Sequence, residues 1–348
     1  MKQVLSAFFC AILSLLVLTS HPRAQPDSCI LGAFTLPILG GLGDAPVLPA
    51  TMQGKPVALY YSTTVDGLYG GDIAAYGGRD TGTHTTIVQD GAQISDTPLM
   101  KTGELKLGTL DLGTVSMVRL PQFPMRSVGL RPVIGVIGAH QFDGLAVLMD
   151  IPHSAFALIR FSSDKSCEGA AARFLGPGET HLPLGAEHRA QITLHGVRRS
   201  LALDPNAAFN TLPATWMTTP DIKKDRSVSG EWPAPPSPRD ETITLPAISE
   251  IAGTAFHLQG SAGSGSSGDD SGGVLGQVFF EHHVVLFDYP NHVVHFLPSR
   301  HQRSGKGSAL RFPHTLRNEG EDLMIRPPSG TWPLTPIYSG AGIQPGLN

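Results

Sequence analysis

Charge, cysteine, long apolar runs and helical periodicity are all scarce in this chain. Only 16% of its 348 residues are charged, and the formal net charge is -4 with acids and bases interspersed. Nothing in that pattern offers a footprint for nucleic acid. Beyond the N-terminal segment, no long stretch keeps apolar residues at helical spacing. The run from Val4 to Leu18 is too short for a membrane span; Lys2 precedes it and a polar "TSHPRAQ" follows. A secretory signal over residues 1–24 is the expectation, cleaved between Ser20 and Gln25, with no membrane span afterwards and a periplasmic or secreted destination. Of three cysteines, Cys10 lies inside that segment. Cys29 and Cys167 remain, and an even pair in an oxidising compartment is expected to form a disulfide.

What is abundant points the other way. The sequence holds 40 Gly and 29 Pro around short Val, Leu and Ile runs. Such spacing reads as many strands joined by turns, an all-β chain long enough for two lobes. An internal match supports this. "GVIGAHQFDGLAVLMDIP" begins at Gly135 and "GVLGQVFFEHHVVLFDYP" at Gly273, 138 residues later, without a gap. Gly138 meets Gly276, Phe142 meets Phe280, Asp150 meets Asp288 and Pro152 meets Pro290. Upstream of each copy lies a strand, Gly-turn, strand pattern, "ATMQGKPVALYYSTTV" and "AQITLHGVRRSLALDPNA". Anchoring Gly54 on Gly196 sets Ser62 against Asp204. Two β lobes related by duplication are therefore expected. They would cover 29–167 and 185–300, joined by a polar linker over 168–184. A Pro/Gly-rich tail over 301–348 should be mostly irregular, with one or two closing strands.

The repeat resembles the two-lobed pepsin-like or retropepsin-like aspartic peptidases, especially bacterial exported ones, over roughly Pro46 to Pro298. Members carry Asp-Thr-Gly at the end of an apolar strand in each lobe. A hydrophobic-hydrophobic-Gly segment crosses behind it, matched here by "GVIG" and "GVLG". The resemblance implies two acid-protease β-barrels with a cleft between them, and no cofactor. Its chemistry needs two close carboxylates that share a proton and hold one water. Here the triplets read Ser62-Thr63-Thr64 and Asp204-Pro205-Asn206, which keep only Thr63 and Asp204 of the six family residues. Ser62 cannot be the second acid, Thr64 puts a branched Cβ where Gly is expected, and Pro205 has no hydroxyl. The resemblance thus implies a remnant site, catalytically inactive, whose cleft binds an extended peptide or protein segment.

Competing readings follow from particular residues. An active endopeptidase would pair Asp204 with another acid, Asp80 or Asp66. Asp80-Thr81-Gly82 is a true triplet, but it follows "YGGR" rather than an apolar strand. It lies 55 residues before Gly135, against 69 from Asp204 to Gly273 and 73 from Ser62 to Gly135. "GDDSGG" around Ser271 has an extra Asp and sits in Gly/Ser low complexity, so a Ser-His-Asp triad is not supported. His282, His283, His292 and His295 read as solvated hairpin histidines rather than a metal site. Asp150 and Asp288 read as turn caps before x-Pro. A structural, envelope-associated interaction protein is the remaining class. "GSAGSGSSGDDSGG", Gly260 to Gly273, reads as a mobile loop.

Overall fold

The structure is a computed structural model that describes residues 28–142, 144–185, 188–216, 242–244, 251, 254–259, 272–312 and 314–319. The expected signal segment and nearly all of the Gly260–Gly273 loop lie outside the described residues. The described residues are predominantly β, in three sheets.

The first sheet has six strands. In spatial order they are β1 (Ile30–Pro37), β13 (Ala155–Phe161), β12 (Ala146–Asp150), β21 (His283–Asp288), β22 (Val293–Pro298) and β14 (Thr180–Pro183). Side-chain alternation sends successive residues of a strand to opposite faces. In β12, Val147 and Met149 enter the main core, whereas Ala146 and Leu148 face a second apolar layer. In β21, Val285 and Phe287 go to the main core and Val284 and Leu286 to that second layer. Both strands are thus buried on both faces, which explains their unbroken apolar runs. At their antiparallel junction Leu148 lies opposite Leu286, the residue 138 positions later.

Eleven strands make the second sheet. The path runs β23 (Leu316–Asn318), β5 (Arg79–Gln89), β6 (Ala92–Lys101), β9 (Ser116–Arg119), β4 (Leu68–Gly70), β11 (Arg131–Gly138), β3 (Lys55–Ser62), β2 (Val47–Met52), β7 (Leu105–Leu107) and β8 (Leu110–Gly113), with β10 (Arg126–Val128) paired to β11. The third sheet runs β15 (Ala190–Leu194), β16 (Val197–Leu203), β20 (Gly273–Leu275), β17 (Thr211–Pro213), β19 (Ala255–Gln259), β18 (Thr242–Thr244). One six-strand order recurs. From β2 through β3, β11, β4 and β9 to β6 the pairs run antiparallel, parallel, antiparallel, parallel, antiparallel. From β15 through β16, β20, β17 and β19 to β18 the pairs run in the same directions.

The hairpins that open these two series share a turn. Gln53 and Gly54 between β2 and β3 have φ of 51° and 70°; His195 and Gly196 between β15 and β16 have 52° and 76°. Two consecutive left-handed residues make the tight turn whose twist suits paired strands, and Gly adopts that conformation without penalty.

One sequence expectation meets a different local structure. The segment 168–184 is no bare connection: a short helix, Ala170–Leu175, and β14 form within it. Ala171, Phe174 and Leu175 cover the outer layer of the first sheet, so apolar residues in a Gly-rich stretch found a surface to bury against. The tail holds one closing strand among its described residues, β23, within the range expected from the sequence. Residues 301–312 are without regular strands, yet Leu310, Phe312 and the β23 residue Leu316 are buried in a core cluster with Tyr60, Tyr69 and Phe123.

Cys29 and Cys167 form a disulfide with Cα atoms 5.3 Å apart. No helix among the described residues is long and apolar enough to cross a membrane.

Candidate functional site

The triplet loops sit where parallel strand pairs end side by side. Ser62 closes β3 beside Gly138 of β11, and Leu203 closes β16 beside Leu275 of β20. Gly138 and Gly276 are forced by close backbone approach. A Cβ on Gly138 would lie 2.0 Å from the Val65 carbonyl oxygen, and one on Gly276 would lie 2.3 Å from that of Phe209.

The two loops grip one another through side chains. The Thr63 hydroxyl donates to the Leu203 carbonyl. In the other direction the Asn206 amide donates to the Tyr61 carbonyl at 3.0 Å, and its Oδ1 accepts from the Phe312 N–H at 3.3 Å. Tyr61 and Leu203 are the residues just before Ser62 and Asp204, so the contacts are reciprocal although Pro205 lacks a hydroxyl. Asn206, which departs from the Gly expected at the third triplet position, is fully buried, and its side chain bridges the Tyr61 carbonyl and the Phe312 N–H.

Ser62 is fully buried, and its hydroxyl is paired with the Thr64 hydroxyl at 3.0 Å while accepting from the Thr64 N–H at 3.2 Å. Asp204 turns to its own loop as well: Oδ1 accepts the Asn206 N–H at 2.9 Å, and the Ala207 N–H closes on the Asp204 carbonyl at 3.1 Å. Burial pushes the Asp204 carboxyl up to about 6, against the opposing pull of the Asn206 donors and Arg311. No second carboxylate is among the groups that move it. The shared-proton arrangement therefore has no partner here among the described residues.

The alternative acids are occupied elsewhere. Asp66 accepts the Tyr69 hydroxyl at 2.5 Å on one oxygen and the Asn318 N–H at 2.7 Å on the other. Burial and that carboxylate hold the Tyr69 phenol far above its ordinary range. Asp80 is exposed on β5, where Oδ1 accepts the Gly82 N–H at 2.8 Å in a local turn. Asp150 accepts the His153 N–H at 3.1 Å, and Asp288 accepts the Asn291 side-chain amide at 2.8 Å, so both serve their turns.

A cavity of about 500 Å³ opens beside the grip, walled by Thr63 to Asp66, His140, His188, Arg189, Leu203 and one strand of the tail, Thr315 to Asn318. That strand, β23, is a closing strand of the tail; its partners and its place at the cavity are what the sequence did not announce. It pairs antiparallel with β5, Leu316 opposite Gln89 and Asn318 opposite Ile87. On its other side the Leu316 N–H donates to the Thr64 carbonyl at 3.3 Å, and the Asp66 N–H donates to the Leu316 carbonyl at 3.2 Å. The Thr315 N–H reaches Asp90 Oδ1 at 2.9 Å, and the Leu316 side chain is buried. Six residues lacking Gly and Pro, "HTLRNE" at 314–319, were the available signal, hidden in Pro/Gly-rich surroundings.

The histidines depart from expectation at two positions, His295 and His283. His295 is 6% exposed rather than solvated, and its Nδ1 lies 2.5 Å from Glu179 Oε1. Strand pairing of β14 with β22 put it there, a contact between segments more than 100 residues apart. His283 stacks on Phe279 at 4.0 Å between ring centroids, and burial lowers its pKa. No protein-family model matches the chain, and no match to it is found among curated proteins.

Proposed function

We propose that this is an exported, aspartic-peptidase-like protein of two duplicated β lobes whose catalytic pair is lost and whose cleft binds an extended peptide as an added strand. The recurring six-strand order, the facing of Leu148 and Leu286, and the reciprocal contacts Thr63–Leu203 and Asn206–Tyr61 support the two-lobed reading. Hydroxyl at position 62, together with the other hydrogen-bond partners that occupy Asp204, Asp66 and Asp80, supports loss of the acid pair.

One observation carries the binding mode. Residues 314–319 of the chain itself lie as a strand between the edge of β5 and the backbone of Thr64 to Asp66. Main-chain hydrogen bonds on both sides give affinity without demanding sequence, and the buried Leu316 supplies an aliphatic anchor. The groove is thus of a kind that accepts an extended segment with one large apolar side chain. A covalently attached strand acts at an effective concentration of the order of mM. A peptide in trans must displace it.

The test is binding of a labelled peptide with the sequence of residues 312–321 to the full mature chain carrying Leu316→Asp, which expels the resident strand. Affinity about tenfold or more above that of the wild type is expected. Equal binding to both, or no binding to a folded Leu316→Asp protein, rejects strand addition. Amide exchange at Leu316 and Asn318 of the wild type gives an independent reading: both should be protected, and excess peptide should remove that protection.

A further inference from the structure

We infer that Glu179, His181 and His295 form a binding site for a borderline divalent transition-metal cation, zinc(II) in the first place, on the edge of the six-stranded sheet. The placement follows from strand geometry. Glu179 immediately precedes β14 and His181 is its second residue; Leu182 alternates into the main core, and the His181 side chain turns to the opposite face, where Glu179 meets it. His181 sits directly opposite His295 in the antiparallel register of β14 and β22. Cross-strand partners carry their Cβ atoms about 5 Å apart. The three side chains therefore make a triangle on a rigid ribbon.

Their ligand atoms converge. Glu179 Oε1 lies 2.5 Å from His295 Nδ1 and 3.3 Å from His181 Nδ1, and all three atoms fall within 4.8 Å of one another. Ligands about 2.0–2.2 Å from a tetrahedral zinc ion stand a little over 3 Å from each other. The Glu179–His181 separation already meets that spacing, and a small opening of the Glu179–His295 contact completes it. Two imidazoles and one carboxylate suit zinc, and are too poor in oxygen for calcium or magnesium.

Burial is graded across the site. His295 and Glu179 are nearly closed off, with side-chain exposures of 8% and 11%, whereas that of His181 is 61%. Two ligands are thus pre-positioned, one faces solvent at the mouth, and a fourth coordination position opens outward. Without a cation, two ring nitrogens crowd one carboxylate oxygen, and each must turn an N–H toward it to avoid lone-pair repulsion. A cation lets all three groups present lone pairs at once. Bound metal would clip the edge strand β14, next to the helix Ala170–Leu175, onto β22.

The experiment is titration calorimetry of zinc chloride into the tag-free mature chain, repeated with His181→Ala and with His153→Ala. His181 is exposed, so its replacement leaves folding intact; His153 stacks on His301 away from this cluster and serves as the control. One zinc per chain is expected, weakened at least about tenfold by His181→Ala and unchanged by His153→Ala. Cobalt(II) in place of zinc should give the visible absorption of a tetrahedral nitrogen/oxygen site, lost in His181→Ala. Zinc should also raise the melting temperature of the wild type but not of His181→Ala. Unaltered zinc affinity in His181→Ala, or no saturable binding to the wild type, overturns the assignment.

Discussion

Asp204 is a carboxyl group in a turn it helps to build, raised to about 6 from 3.8. Between about pH 4 and 6 the folded chain therefore holds more protons at this site than the unfolded chain, so stability falls as pH rises through that window. Asp204→Asn mimics the protonated group and keeps the Oδ1 acceptor for the Asn206 N–H. It should leave stability nearly unchanged below pH 4 and raise it by about 1–2 kcal/mol above pH 6. The full shift would give more at about 1.4 kcal/mol per unit, but the carboxylate is partly open to solvent. Chemical denaturation of both proteins at pH 3.5 and 7.5 reads this directly, and a loss of stability at pH 7.5 would contradict it. The same residue bears on activity. Neither the wild type nor Ser62→Asp should cleave an unfolded substrate between pH 3 and 8, because Ser62 and Asp204 each close on their own loops. Cleavage by wild type that disappears in Asp204→Asn would refute this. Asn206 is the residue whose removal should hurt most. Asn206→Ala strands a buried carbonyl at Tyr61 and a buried N–H at Phe312, at about 1–3 kcal/mol for each group left unsatisfied. A thermal melt displaced by less than 2 °C would show the grip is not needed.

At the scale of elements, the readable features were those with local causes. The hairpins β2–β3 and β15–β16 are written in a Gly preceded by a polar residue between alternating apolar runs, and the strand ending at Leu203 follows the pattern of Leu201 and Leu203. β12 and β21 were legible as continuous apolar runs. The partners and place of β23 were not. Its three residues have little β propensity of their own and become a strand only because β5 offers an unpaired edge and Thr64 to Asp66 offer backbone groups on the opposite side. Gly138→Ala tests the packing of the crossing segment. The added methyl meets the Val65 carbonyl rather than a flexible side chain, so overpacking should cost about 1–3 kcal/mol or more. The same change at Gly54, where a Cβ meets nothing within 4 Å, should cost only the strain of a left-handed backbone.

Across the whole molecule, long-range closures hold the arrangement together. The disulfide joins residues 138 apart in sequence and ties β1 to the segment after β13. Replacing both cysteines by Ala should lower stability by about 2–4 kcal/mol, chiefly through the freed unfolded chain, and a change under 1 kcal/mol in denaturant titration would reject that. A second closure is buried and polar. Asp44 accepts backbone N–H groups of Gly41, Ser308 and Leu310, while Arg303 donates to carbonyls of Asp44, Ile38 and Leu39. These contacts hold the tail against the segment Ile38 to Asp44, from which it runs on to β23 at the wall of the cavity.

Local chemistry in the sequence determined the all-β character, the paired turns, the 138-residue repeat, the cysteine pair, and the absence of a carboxylate at position 62. Each depends on residue type and near-neighbour spacing, which survive in one dimension. Tertiary structure alone decided that Asn206 ties its loop to Tyr61, that Glu179 meets His181 and His295, and that residues 315–318 wall the cavity. Those contacts join segments up to 252 positions apart, as between Asp66 and Asn318. Their partners are chosen by strand register and shape complementarity, and neither is encoded in any short stretch of chain.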